Sequence, residues 1–290
     1  NNTSDTKLFK ATASAPIIPS LQAAWVKDRW AFQFNFALVG GGGKAEFEQG
    51  MGSFESQVAL LGLVGQRMAA VMPALGFNKY KVDAYMHGKQ YYFGTTLGTS
   101  YRINDNFSVY GGVRGVYATA HYYGYLKNIQ INPGSGNNFV SAPAFFAQTA
   151  KALQPAVAVN PALAPRLRQL SVLAAATQDV TLNTDQSGFG FAPIVGAHFR
   201  SKYIDLAAKY EFRTRIAFEN ESANSASANN LTSLAAYKDD AQVRSDIPAL
   251  LTVGAQVRPI EGLRLNLGYH QYFDKQAKSG VKGAYRNELL

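Results

Sequence analysis

The chain has 290 residues with a formal charge of +9; 16% are charged, 12% are aromatic and none is cysteine. Without cysteine there is neither a disulfide framework nor a thiolate metal site, and no basic cluster with interleaved aromatics stands on one element to hold nucleic acid. A charged fraction below the usual ~25%, many Tyr and Gly, and a slightly negative mean hydropathy suit a barrel whose polar lumen face dilutes an apolar outer face.

Taken in chain order, the segments alternate apolar and polar residues with a period of two, so one face of each strand meets an apolar medium. Leu21, Ala23 and Trp25 alternate with Gln22 and Ala24, and Lys27-Asp28-Arg29 turns the chain. Trp30, Phe32, Phe34, Phe36 and Leu38 then return against Ala31, Gln33, Asn35 and Ala37. A second pair places Phe93, Leu97, Tyr101 and Ile103 outward, turns at Asn104-Asp105-Asn106, and continues through Phe107, Val109 and Val113 to a Tyr-rich end. Asn and Asp suit such turns because they tolerate left-handed backbone.

The third pair runs from Phe189 to Phe199, turns at Ser201-Lys202 and returns along 203–219. There Ile204, Leu206, Ala208, Tyr210, Phe212, Ile216 and Phe218 share one face, with Thr214 the single polar intruder. In the fourth pair Leu251, Val253, Ala255 and Val257 precede the turn at Pro259-Ile260-Glu261-Gly262, and Leu263, Leu265, Leu267, Tyr269 and Phe273 face outward after it. Eight strands result. Pro193, with Gly188, Gly190 and Gly196 on the same strand, predicts a bulge or kink, since proline cannot donate a ladder hydrogen bond.

Long connections, roughly 40–88, 131–186 and 220–246, separate the pairs. Short turns alternating with long loops are the signature of an outer-membrane barrel, the short turns periplasmic and the long loops outside. The expectation is one domain over 1–290, an all-β transmembrane up-and-down barrel with helical insertions near 51–75 and 141–175. Both ends then fall on the extracellular side, which predicts a piece of a larger barrel, and Leu290 closes no terminal aromatic strand. Asn1 opens no signal peptide. The apolar run Val58–Phe77 reads as a helical loop, because Gln66 and Arg67 interrupt it and Pro73 breaks it, and a central Arg costs roughly 2.5–3.5 kcal/mol in a membrane helix.

Chemistry is sparse. His87, His121, His198 and His270 stand apart without metal-ligand spacing, and no nucleophile, base and acid set is indicated, so neither enzyme nor cofactor is expected. Gly40–Gly43 lacks the Lys-Ser/Thr of a phosphate loop and reads as a flexible loop root. The inward charges of 205–219 read either as a lumen salt-bridge ladder or as a polar track for a carboxylate, with Arg213 and Arg215 as anchors. The apolar loop residues Phe54, Leu60, Leu61, Met68, Met72, Phe145 and Phe146 pack on each other or form a greasy groove for a ligand, and both can hold together. The loop Glu221–Asp240 reads as a solvated tip.

The run Ser245-Asp246-Ile247-Pro248-Ala249-Leu250-Leu251-Thr252-Val253-Gly254-Ala255, followed by Arg258-Pro259 and Leu263–Phe273, resembles the FadL/TodX family of outer-membrane transporters for long-chain fatty acids and other hydrophobic compounds. Gly40–Phe47 followed by Gly52-Ser53-Phe54-Glu55 is similar to Bacteroidetes members. The resemblance implies a fourteen-stranded barrel, an amino-terminal hatch in the lumen, and helical outer loops where ligand docks. It also implies passive exit of ligand sideways through a wall gap. The chain departs from that pattern in lacking the hatch and several strands. The partners expected are a hydrophobic or fatty-acid ligand and membrane lipid or lipopolysaccharide, around a monomer in a Gram-negative outer membrane. The alternatives are a nonspecific aqueous porin and a structural or secretion-partner barrel, the latter because some relatives act as secretion-system shuttles.

Overall fold

The computed structural model describes residues 8–15, 17–71 and 73–281; Met72, the side chain of Phe54, much of the two ends expected on the extracellular side and Leu290 lie outside that description. Period-two alternation makes strands, and the first half of the chain supplies β1 (Thr12–Ser14), β2 (Ser20–Lys27), β3 (Trp30–Phe47), β4 (Tyr80–Arg102) and β5 (Phe107–Ile131). The second half supplies β6 (Val140–Ser141), β7 (Val180–Arg200), β8 (Ile204–Glu211), β9 (Ala217–Ser222), β10 (Val243–Ser245), β11 (Ala249–Val257), β12 (Leu265–Phe273) and β13 (Ser279–Val281). All belong to one sheet, curled into a partial barrel wall along the path β1-β3-β4-β5-β7-β8-β11-β12. The ladder is antiparallel from β1 and β2 through to β12. At one end, here the lower, the strands join by short turns. Asn104 closes one of them by accepting from the amides of Asn106 (3.0 Å) and Phe107 (2.8 Å), an Asx turn.

At the upper end the chain leaves the sheet in long connections. Helices α1 (Gly52–Ala59) and α2 (Leu61–Val71) fill the first, α3 (Ala142–Val159) and α4 (Ala164–Ala176) the second, and α5 (Ala226–Asn229) the third. Pro143 and Pro165 sit in first turns, where a missing N–H has no intrahelical role to lose. Pro155 lies inside α3. Among the described residues no helix is long and apolar enough to cross a membrane.

Side chains separate by face as the alternation requires. Leu97 and Val113, paired across β4 and β5, are 56% and 44% exposed on the outer face, whereas Val116 and Ala118 are fully buried inside. The inner face carries its ion pairs in the lower part. Higher up, Tyr92, Val116, Ala118, Ile216, Phe218 and Val243 form a closed apolar cluster, with the buried polar Gln186, Asn220 and Thr184 above it, which corrects the expectation of a water-lined bore throughout.

Three further corrections have one cause each. β3 continues through Gly40–Gly43 with two register shifts against β4, because Gly41 (φ 67°) and Gly42 (φ 111°) adopt backbone that other residues rarely take. The glycines are bulges inside a strand, and the first loop begins only after Phe47. β7 begins at Val180, inside the presumed loop, since Val180, Leu182, Thr184 and Gln186 already alternate inward. The strand read over 203–219 is two strands, parted at Phe212–Ile216.

That parting flips the faces. Tyr210 pairs with Val195 on the outer side, whereas Phe218 pairs with Gly188 on the inner side. Ile216 and Phe218, expected on the lipid side, are therefore buried inside at 0% and 2% exposure. The segment swings across the inner face of β7, where only glycine leaves room: a Cβ on Gly190 would lie 2.4 Å from the Arg215 carbonyl oxygen and 2.9 Å from Ile216 and Thr214. Gly190→Val is expected to destabilise by about 1–3 kcal/mol through overpacking. Gly111→Ala, whose Cβ meets nothing within 4 Å, is expected to be neutral. Urea midpoints read from heat-modifiable gel mobility check both.

Candidate functional site

The upper connections do not simply cap the sheet. They enclose a cavity of about 410 Å³ between α1–α2, the top of β5, α4 and the third loop. Val58, Leu61 and Val64 come from the first loop, Leu126 and Ile129 from β5, and Leu173 from α4. Among the described residues that line it, none is charged. The volume lies within the ~300–1,000 Å³ of ordinary ligand pockets, which are mostly apolar with a few polar groups. Those groups are the hydroxyls of Ser53, Thr177, Ser233 and Tyr237. Thr177 donates to the Leu173 carbonyl at 2.7 Å, and burial pushes the Tyr237 phenol up, so it remains a neutral hydroxyl.

The sequence-predicted residues divide here. Leu60 and Leu61 line the cavity. Met68 and Phe145 are half-buried and pack on the apolar core beneath it. Phe146 is fully buried, edge-on to Phe77 at 6.1 Å, so it supports the loops from within rather than meeting the cavity. Phe54 (side chain) and Met72 lie outside the described residues. Sequence reasoning missed Leu126 and Ile129, at the top of β5, and Val180 and Leu182, which belong to a strand top taken for loop. It also missed Leu231, Leu234 and Tyr237 in the presumed solvated tip, although an apolar spacing of three over 231–237 marks an inward side.

The inner face of β5 gives the site its depth. Leu126 and Ile129 line the cavity, Ala118 and Val116 join the apolar cluster below, and Arg114 follows. Arg114 meets Glu211 at 2.7 Å, and Glu211 also takes Lys209 at 2.5 Å. Lower still, Asp205 pairs with Arg200 at 3.4 Å and with Arg258. The inward charges of 205–211 thus form the salt-bridge ladder, beginning where the apolar stretch ends.

Beside the apolar cluster the wall is interrupted at one height in three neighbouring strands: Phe212–Ile216, Asp246–Pro248 and Asp274–Lys278. Asp246 closes the interruption. Its side chain is fully buried and accepts from the Ile216 amide (3.2 Å), the Lys278 amide (3.2 Å) and the Arg244 guanidinium (2.7 and 3.1 Å). One carboxylate thereby takes amides that the broken ladder leaves over, and charge-assisted bonds of this kind are about twice as strong as neutral ones. The two arginines expected to guide a carboxylate are placed otherwise. Arg213 stands 3.9 Å from Asp246 and donates to the Gln276 carbonyl. Arg215 is exposed because the face flip carries it away from Thr214 and Ile216, both fully buried.

No protein-family model matches the sequence, and no curated protein is similar to it. Among solved structures, the crystal structure of the P. putida toluene transporter TodX is similar at 12% identity and a TM-score of 0.47, over 91% of this chain and 56% of that one. The chain thus spans little more than half the length of that structure.

Asp246→Ala leaves Arg244 and two amides without their acceptor. It is expected to lower stability by about 3–5 kcal/mol, the range for breaking a buried ion pair from one side, measured by urea unfolding of the purified protein.

Proposed function

We propose that the protein is an outer-membrane β-barrel channel that admits hydrophobic small molecules, long-chain fatty acids among them, by passive uptake. The observation that carries this reading is the charge-free cavity at the outer end, continued downward on β5 by the apolar cluster of Val116 and Ala118. An ion or sugar would have to shed water to enter such a space, whereas an acyl chain or aromatic hydrocarbon gains about 25 cal/mol for each Å² it buries.

The outer face supports the membrane setting. Leu97, Val113, Phe191 and Leu267 are exposed large apolar side chains on four strands, far more apolar surface than a water-soluble monomer shows contiguously. On β4 the outward run from Tyr91 to Tyr101, at about 3.3 Å per residue and a usual tilt near 40°, spans roughly 25 Å, the height of an apolar band on such barrels. The wall interruption around Asp246 adjoins the apolar cluster, and opening it is the lateral exit we propose. A hydrophobic molecule captured above would leave there without crossing the charged lower lumen.

Leu60 lines the cavity yet is 58% exposed, so a substitution there tests binding without emptying the core. Leu60→Asp is expected to weaken binding of a fluorescent long-chain fatty acid by about tenfold or more; unchanged binding would refute the assignment. In planar bilayers the purified protein is expected to pass little small-ion current, because an ion would have to shed water to pass the apolar cluster. A large steady ohmic conductance would favour an aqueous porin instead.

A further inference from the structure

Above the apolar band, the outer face of β3, β4, β5 and β7 changes character without becoming an ordinary charged surface. Tyr85 stacks on Tyr125 at 5.7 Å, His87 on Tyr123 at 5.6 Å, and His87 on His121 at 5.4 Å. The strand register places these rings on the outward side in line with Leu97 and Val113: Tyr85 opposite Tyr125, His87 opposite Tyr123, and Lys89 opposite His121. Acids and cations edge the rings. Glu46 accepts from Tyr85 and pairs with Lys44 at 2.8 Å. Asp185 meets His121 at 2.8 Å, Lys127 lies 5.0 Å over Tyr125, and Lys89 is exposed.

The height of this patch decides what faces it. His87 stands four residues above Tyr91, and Tyr85 six. At about 3.3 Å per residue and a usual tilt, the rings lie roughly 10–15 Å beyond the edge of the hydrocarbon. Ordinary headgroups reach only about 5–8 Å beyond the hydrocarbon, so at this height the patch meets only a headgroup larger than a phospholipid's. Hydrocarbon would leave Glu46 and Lys44 without solvation, and open water would give no gain for a half-exposed ladder of five rings. A surface combining aromatic faces, carboxylates, imidazoles and ammonium groups suits a ligand with flat C–H faces, hydroxyls and negative charge together.

We propose that this patch binds the phosphorylated saccharide headgroup of a glycolipid in the outer leaflet. The sugar faces stack on Tyr85, Tyr123 and Tyr125, the hydroxyls bond to Glu46 and Asp185, and the phosphate lies against Lys44 and Lys89. The proposal depends on the membrane setting given above but not on the cavity. Loss of fatty-acid binding and loss of glycolipid binding are therefore separable results.

The test folds the full protein into phosphatidylcholine nanodiscs containing 5 mol % of either lipid A or phosphatidylglycerol, and native mass spectrometry reads the lipid retained. The intact protein is expected to retain lipid A at least about fivefold over phosphatidylglycerol, and Tyr85→Ser with Tyr125→Ser to abolish that preference. Should the tyrosine pair fail to fold, His87→Gln with Lys89→Gln, checked by heat-modifiable mobility, reads the same loss. Equal retention of the two lipids by the intact protein would show attraction to charge alone and overturn the proposal. Full preference in folded variants would overturn it as well.

Discussion

An antiparallel ladder whose side chains alternate between two unlike surroundings is what every other feature leans on. The ladder satisfies the backbone strand to strand, so the outer face can be apolar without exposing unpaired amides to it. Where the ladder stops, at Phe212–Ile216, Asp246–Pro248 and Asp274–Lys278, something else must take those bonds, since a buried unpaired amide costs as much as a lost hydrogen bond. The Asp246 carboxylate does so, and the guanidinium of Arg244 offsets the burial of its charge. The inward swing of 213–216, the glycines beneath it and the apolar cluster all follow from that substitution of a side chain for backbone.

The same ladder sorts the interior by depth. Along the inner face of β5 the surroundings pass from the cavity at Ile129, through Ala118 and Val116, to the ion-paired Arg114. Where the wall folds in, Ile216 and Phe218 are buried against Tyr92, Val116 and Ala118. Below, each inward acid has more than one cation, so the charges serve one another first.

Much of this was legible in the sequence, for a physical reason. Period-two alternation is a local signal, and it marked the runs that pair along the sheet and the short turns between them. The errors came where a non-local contact overrides the local pattern. Thr214 looked like a single polar exception on a lipid-facing strand, yet it marks the residue where the face reverses, and only the pairing of Phe218 with Gly188 reveals it. Gly40–Gly43 looked like a loop because glycine is usually a breaker, whereas two bulges keep it in register with β4. For the site, Leu60 and Leu61 were readable from the helical loop alone. Leu126, Val180 and Leu234 were not, because they converge only when three connections fold over one mouth. Phe146, read with Leu60 and Leu61 from the sequence, is fully buried in the core of the loops.

The interruption also divides the wall into two pieces that need not assemble together. Below it, β7 with β8 and β11 with β12 are hairpins joined by short turns and zip quickly, since nearby segments lose little freedom on meeting. Above it, β9, β10 and β13 must first gather in the chain of 223–242. The lower hairpins would then stand as a finished template before the upper flap settles on them. Asp246, the carboxylate that joins the two pieces, would be among the last groups to find its place.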